Sequence, residues 1–138
     1  MKKILFLLLC CICFSCNDDK ESSISRYNIP YSLQPDIEKD AIVIIDSEAA
    51  FREAFVNTES SLPAINFKDS NLLLVSGVSS SGISELDADF IKDGNKYRLN
   101  IGIEQNYATV VQPWCIGYRI PKDLKRGDVV LNIKYSLD

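Results

Sequence analysis

The chain has 138 residues, 46% of them hydrophobic and 25% charged, with a formal net charge of −4 and no histidine. That length supports one folded domain, and an acidic surface repels phosphate backbones, which excludes nucleic acid as a partner. Without an imidazole, histidine-dependent serine or cysteine triads are excluded, as are zinc sites of the histidine or multi-cysteine kind, and no cofactor is expected.

The start of the chain is an address. Met1-Lys2-Lys3 is basic, residues 4–14 form an unbroken apolar run of 11, and Ser15-Cys16 closes it. A helix of that length spans about half of a ~30 Å hydrocarbon core, too short for a transmembrane anchor and right for a signal-peptide core. Cys13-Phe14-Ser15-Cys16, followed at once by Asn17-Asp18-Asp19-Lys20-Glu21, resembles the lipobox of bacterial lipoproteins. Cys10, Cys11 and Cys13 lack the small preceding residue and the polar flank together. Residues 1–15 are therefore read as a lipoprotein signal peptide and Cys16 as the lipidation site; a signal cleaved without lipid is the alternative. Two or more acyl chains hold a protein stably on a membrane. The acidic stretch after Cys16 also resembles the surface-export signal of Bacteroidetes-type lipoproteins. The expected location is the outer membrane, lipid-anchored, surface-exposed or periplasm-facing. Removal of residues 1–15 takes Lys2 and Lys3 with it, leaving 13 basic against 19 acidic residues and a net charge of −6. The mature chain keeps Cys16 and Cys115; with Cys16 lipidated, Cys115 has no disulfide partner within the chain.

Residues 16–39 read as a lipidated N-terminus and tether, broken by serines, Pro30 and Pro35, with Tyr27, Ile29 and Tyr31 able to dock at its end. Residues 40–138 read as a single β-rich domain. Ala41-Ile42-Val43-Ile44-Ile45 is a strand covered on both faces. Asp46-Ser47 offers an N-cap to a helix over 48–56, with Phe51, Ala54 and Phe55 forming one apolar stripe. Strands follow over 71–78, 83–92, 96–104, 109–120 and 129–137, with Ser79-Ser80-Ser81-Gly82 as a turn. Asp93-Gly94 marks a hairpin. A two-residue loop there pairs Phe90 with Tyr97, Ala88 with Leu99 and Leu86 with Ile101, and sets Asp89 opposite Arg98. Pro113 places its strand at an edge or bulge. Val129, Leu131, Ile133, Tyr135 and Leu137 give the last strand one apolar face. The fold class expected is mainly β, an antiparallel sandwich or partly open barrel with one short helix.

Few residues carry chemistry. Gly77 to Gly82 matches neither a nucleophile elbow nor a phosphate loop and reads as a turn. Glu85, Asp87 and Asp89 share a strand face and offer oxygen ligands for calcium or an acid/base pair; their alternation with Leu86, Ala88 and Phe90 equally describes a solvated face. Cys115 reads as a small packing residue. Trp114, Tyr118 and Tyr107 are candidate ligand-binding aromatics for a glycan, against core packing for the first two. Arg126-Gly127-Asp128 reads as the turn into the last strand rather than an adhesion motif.

The order of these elements, with Ile65-Asn66-Phe67 before Asn71-Leu72-Leu73-Leu74-Val75, then Asn95-Lys96-Tyr97-Arg98-Leu99 and Trp114 through Lys122, resembles small Bacteroidetes-type lipoproteins. More loosely it resembles the PrcB-like C-terminal domain, over roughly residues 41–135. The resemblance implies a noncatalytic β-rich module that contacts another protein. The functional expectation is a lipid-anchored envelope binding or regulatory module with a protein partner and no enzymatic activity. The alternatives are a glycan-binding module, a carboxylate-based enzyme and a purely structural stability factor. Metabolic labelling with palmitate is expected to mark the chain, and Cys16→Ala to abolish both the label and sedimentation with membranes.

Overall fold

The computed structural model describes residues 24–58 and 61–137; the expected signal peptide and Cys16 lie outside the described residues. The elements are β1 (Ser25–Tyr27), β2 (Val43–Ile45), α1 (Glu48–Ala54), β3 (Ser70–Ser79), β4 (Ile83–Asp93), β5 (Lys96–Gln105), β6 (Gln112–Pro121) and β7 (Val129–Leu137). They make two sheets, β1-β6-β3-β2 and β4-β5-β7, which pack as a sandwich and do not close into a barrel. The first sheet is wholly antiparallel.

Three layers result. One face of the first sheet, carrying Leu73, Val75, Trp114, Ile116 and Ile120, packs on Leu99, Ile101 and Ile103 of β5. Its other face, carrying Tyr27, Ile45, Leu72, Leu74 and Cys115, is covered by Phe51, Phe55 and Leu62. The helix forms because Ser47 caps it, its extended backbone placing the side chain to accept from the Ala50 N–H at 3.1 Å. Phe51 and Ala54 on α1 and Phe55 at its C-cap make the expected stripe and are buried. The helix stops at Ala54, two residues earlier than expected, as the backbone turns at Phe55 and enters the left-handed region at Asn57.

Three expectations need correction. The fold begins before residue 40, because β1 adds to β6 through Ser25↔Arg119 and Tyr27↔Gly117. Tyr27 is fully buried there, its hydroxyl donating to the Pro63 carbonyl at 2.6 Å and its ring lying under the Arg119 guanidinium. A buried ring and a ladder tie down a segment whose serines and prolines read as tether. Second, the β4–β5 hairpin turns at Gly94-Asn95, not Asp93-Gly94: Asp93 pairs with Lys96, Phe90 with Leu99, Ala88 with Ile101 and Leu86 with Ile103. Asp89 therefore faces Asn100, and Arg98 instead pairs with Asp93 at 2.6 Å. The register is displaced by two, and a shift of two keeps every side chain on its own face, so alternation alone does not discriminate. Positive φ at Gly94 but not at Asn95 is the pattern of a II′ loop. Third, β6 begins at Gln112, so Thr109, Val110 and Val111 are exposed loop rather than strand.

The β7 strand runs parallel to β5. Between them the chain descends β6 in the other sheet, so two reversals bring it back in its original direction. Pro113 faces Val78 on β3 and lies beyond β1, which spans only Gly117 to Arg119, so among the described strands nothing pairs with its other side. Trp114 is packed against Gly77, where an added Cβ would lie 2.5 Å from Trp114 Cζ2 and 2.8 Å from Asp40 Oδ1. Gly77→Ala is expected to overpack this contact by about 1–3 kcal/mol and lower the melting temperature by roughly 5–15 °C. Gly127→Ala, with nothing within 4 Å, is expected to melt with the parent in the same differential scanning experiment.

Candidate functional site

Two of the three connections between the sheets, 80–82 after β3 and 106–111 after β5, lie at one end of the sandwich, where β7 also ends. Backbone bonds tie the two connections together: Asn106 N–H donates to the Gly82 carbonyl at 2.9 Å, and Gly82 N–H to the Ala108 carbonyl at 3.3 Å. Asn106 Oδ1 accepts from the Ala108 N–H at 2.9 Å. Below them, Gln105 Nε2 donates to Ser79 Oγ at 2.9 Å, and Ser79 Oγ donates to the Ser81 carbonyl at 2.7 Å. The Ile83 N–H reaches Gln112 Oε1 at 3.0 Å.

Beside the exposed Ser80 and Thr109, the end presents large apolar side chains to solvent. Tyr107 is 79% exposed, Val111 72%, Leu137 66% and Val110 51%. They border a concave surface of about 610 Å³ whose floor includes Ser80, Ser81 and Gln105. A second hollow of about 450 Å³ shares Ser80 and Gln105 and continues the surface over Val78, Ile133 and Tyr135. Large exposed apolar groups gathered at one place mark interaction surfaces, whereas single ones carry no message.

The candidate aromatic platform of Trp114, Tyr118 and Tyr107 does not form, and the first two pack in the core. Trp114 is wholly buried, its Nε1–H donating to the Tyr135 hydroxyl at 3.1 Å. Tyr118 is buried against Phe90 with ring centroids 5.1 Å apart, and Arg26 lies over its ring. Period two puts Trp114 and Tyr118 on the inter-sheet face with Ile116 and Ile120, so only Tyr107, on a loop, is left for a ligand. Glu85, Asp87 and Asp89 line the outer face of the second sheet, exposed, with Asp87 over Gly102. Among the described residues no group of three or more carboxylates and thiols is placed to hold a metal ion. Arg126–Asp128 is a 3-10 turn in which Asp128 Oδ2 accepts the Lys125 N–H at 2.9 Å. No helix among the described residues is long and apolar enough to cross a membrane.

Sequence reasoning missed Val78, Val110, Val111, Tyr135 and Leu137 as surface residues. β-branched residues running into a strand look like strand, and alternation assigns Leu137 inward although it is exposed at the end of β7, while Tyr135, bonded to Trp114, is only part-covered. Neither a family model, nor a curated protein, nor a solved structure matches the chain.

Cys115 is buried, and burial pushes its thiol up from the ordinary 9.0 to about 12, with Lys39 and Arg26 pulling weakly the other way. A thiolate needs an accessible, electropositive setting, so this cysteine is built for packing. Between pH 9 and 12 the unfolded thiol has lost a proton that the folded one keeps. Stability from this group is thus full below pH 9 and falls as pH rises toward 12. Burial likewise raises the Tyr27 hydroxyl from 10.0 to about 12, working in the same direction. Urea unfolding at pH 8 and 11 is expected to show this loss, and Cys115→Ala to show a smaller one.

Proposed function

We propose that the chain is a lipid-tethered, noncatalytic binding module of the cell envelope, acting on a protein partner through the apolar end of its sandwich. The observation that carries this reading is four exposed apolar side chains gathered at one end, Tyr107, Val110 and Val111 on a hydrogen-bonded loop pair and Leu137 at the end of β7. Keeping them in water is unfavourable, by about 25 cal/mol for each Å² of apolar surface that a partner would otherwise remove. The lipobox-like sequence at Cys16 supplies the anchor.

Where the tether joins the domain favours a protein over the anchoring bilayer. Ser25 pairs with Arg119, so the chain enters at the Pro121 end of β6, opposite the apolar end. The eight peptide links from Cys16 to Ile24 reach at most ~29 Å. From Arg119, where β1 joins, β6 runs seven residue steps or ~23 Å to Gln112, and the 106–111 loop lies beyond. To stand on its apolar end, a chain lipidated at Cys16 would have to draw its tether out nearly straight along β6, which favours presenting that surface away from the membrane.

Site-specific photo-crosslinking tests the reading. With p-benzoylphenylalanine at Val111 in intact envelopes, one protein species is expected to conjugate. None is expected from the same probe at Glu53, an exposed residue of α1. Conjugation to lipid alone, or an identical set of species from both positions, would overturn it.

A further inference from the structure

Four strands border the two sheets: β1 and β2 in one, β4 and β7 in the other. An unpaired border strand displays a row of free N–H and C=O groups, and proteins blunt such borders with shortness, charge or bulges. β1 and β2 have three residues each. β4 is 11 residues long but carries Glu85, Asp87, Asp89, Lys92 and Asp93, and its pairing is irregular between Ile83 and Glu85. β7 is the least protected of the four. It is nine residues long, its pairing with β5 is unbroken, it contains no proline, and its one charged residue is Lys134. Its open end carries Tyr135 and Leu137 into the apolar surface formed with the 106–111 loop.

We propose that β7 receives an extended segment of the partner protein as an added strand. The alternate apolar side chains of that segment rest on Tyr135, Leu137 and the Tyr107–Val111 loop. The inference depends on the docking reading above and names the mode of docking. Main-chain hydrogen bonds to β7 supply affinity, and the hollows beside Tyr135 and Val111 select side chains at every second position. With Lys134 as the only charge along the strand, the incoming segment is neutral or acidic at that level.

A second copy of this chain fits the same border poorly. Antiparallel pairing of two β7 strands sets the Leu137 end of one beside the Val129 end of the other. The apolar loop would then meet the copy's Lys125-Arg126-Gly127-Asp128 turn, which is polar and largely exposed. Both copies would also bring a net charge of −6 after signal removal.

The test uses the full-length lipidated chain, with p-benzoylphenylalanine at Tyr107, irradiated in intact envelopes and purified in detergent as its conjugate. Amide hydrogen exchange is then compared with the unconjugated chain by NMR. Alternate amides between Val130 and Ser136 are expected to slow at least tenfold, the equivalent of ~1.4 kcal/mol of protection, while β4 amides stay unchanged. Single prolines are placed at the neighbours Ile133 and Lys134, whose N–H groups point to opposite edges of the strand; the one at the outward N–H, recognised by its unchanged melting transition, is expected to lower conjugate yield. A conjugate whose β7 amides exchange as before overturns strand addition while leaving the docking reading standing. A conjugate of twice the chain's mass identifies a second copy and overturns it too. Formation of no protein conjugate removes both readings together.

Discussion

The fold depends on the burial of one strand on both faces. β3 sits between β6 and β2 within its sheet, between the second sheet on one side and α1 with its flanking loops on the other. Leu72, Leu73, Leu74 and Val75 are in consequence all inaccessible to water, with neighbours pointing in opposite directions. A strand so placed has no solvent side, so its centre is written as the continuous apolar run Leu72–Val75, with β5 covering one face and α1 the other. The helix is short because it has only to roof Leu72 and Leu74. β1 is short for a related reason: three residues suffice to carry Tyr27 onto the same face. With no disulfide among the described residues, cohesion comes from this stacking and from the ladder to β6, which runs the whole length of β3.

Much of this was legible from residue pattern. The one-sided strand at the chain's end, the Ser47 cap, the stripe of Phe51, Ala54 and Phe55, and the inward set Trp114, Ile116, Tyr118 and Ile120 each follow from a period of 2 or 3.6. What periodicity could not supply was pairing. Whether Phe90 lies across from Tyr97 or Leu99 leaves every face unchanged, and the parallel match of β7 with β5 depends on where the intervening β6 travels. Tyr27 was legible only as a side chain able to dock: an aromatic among serines and prolines carries no period, and its seat by Arg119 and the Pro63 carbonyl shows only in the fold.

The candidate surface was the least legible part, and the reason is physical. Apolar residues are read as interior by default, because burial is the commonest way to satisfy them. Val110 and Val111 look like the first rungs of a strand, yet the Gly82–Ala108 and Asn106–Gly82 bonds turn the chain outward before β6 begins. Leu137 keeps the inward phase of β7 but has outrun the opposing sheet. A residue can thus obey its pattern and still face water where the layer it should meet has ended. The absence of histidine was informative in the opposite sense, since it narrowed the chemistry before any geometry was known.

The position of β1 has a mechanical consequence. The chain enters through three residues paired to the far end of β6, and β6 leads without interruption to the apolar loop. A pull between an N-terminal anchor and a ligand held at that loop would run lengthwise along β6. It would load the β1–β6 rungs together, in shear, rather than peel them one by one. Tyr27, wedged beneath Arg119, is the pin in that joint, and tension high enough to extract it would release the tether from the sheet while β3 and β6 stayed clasped.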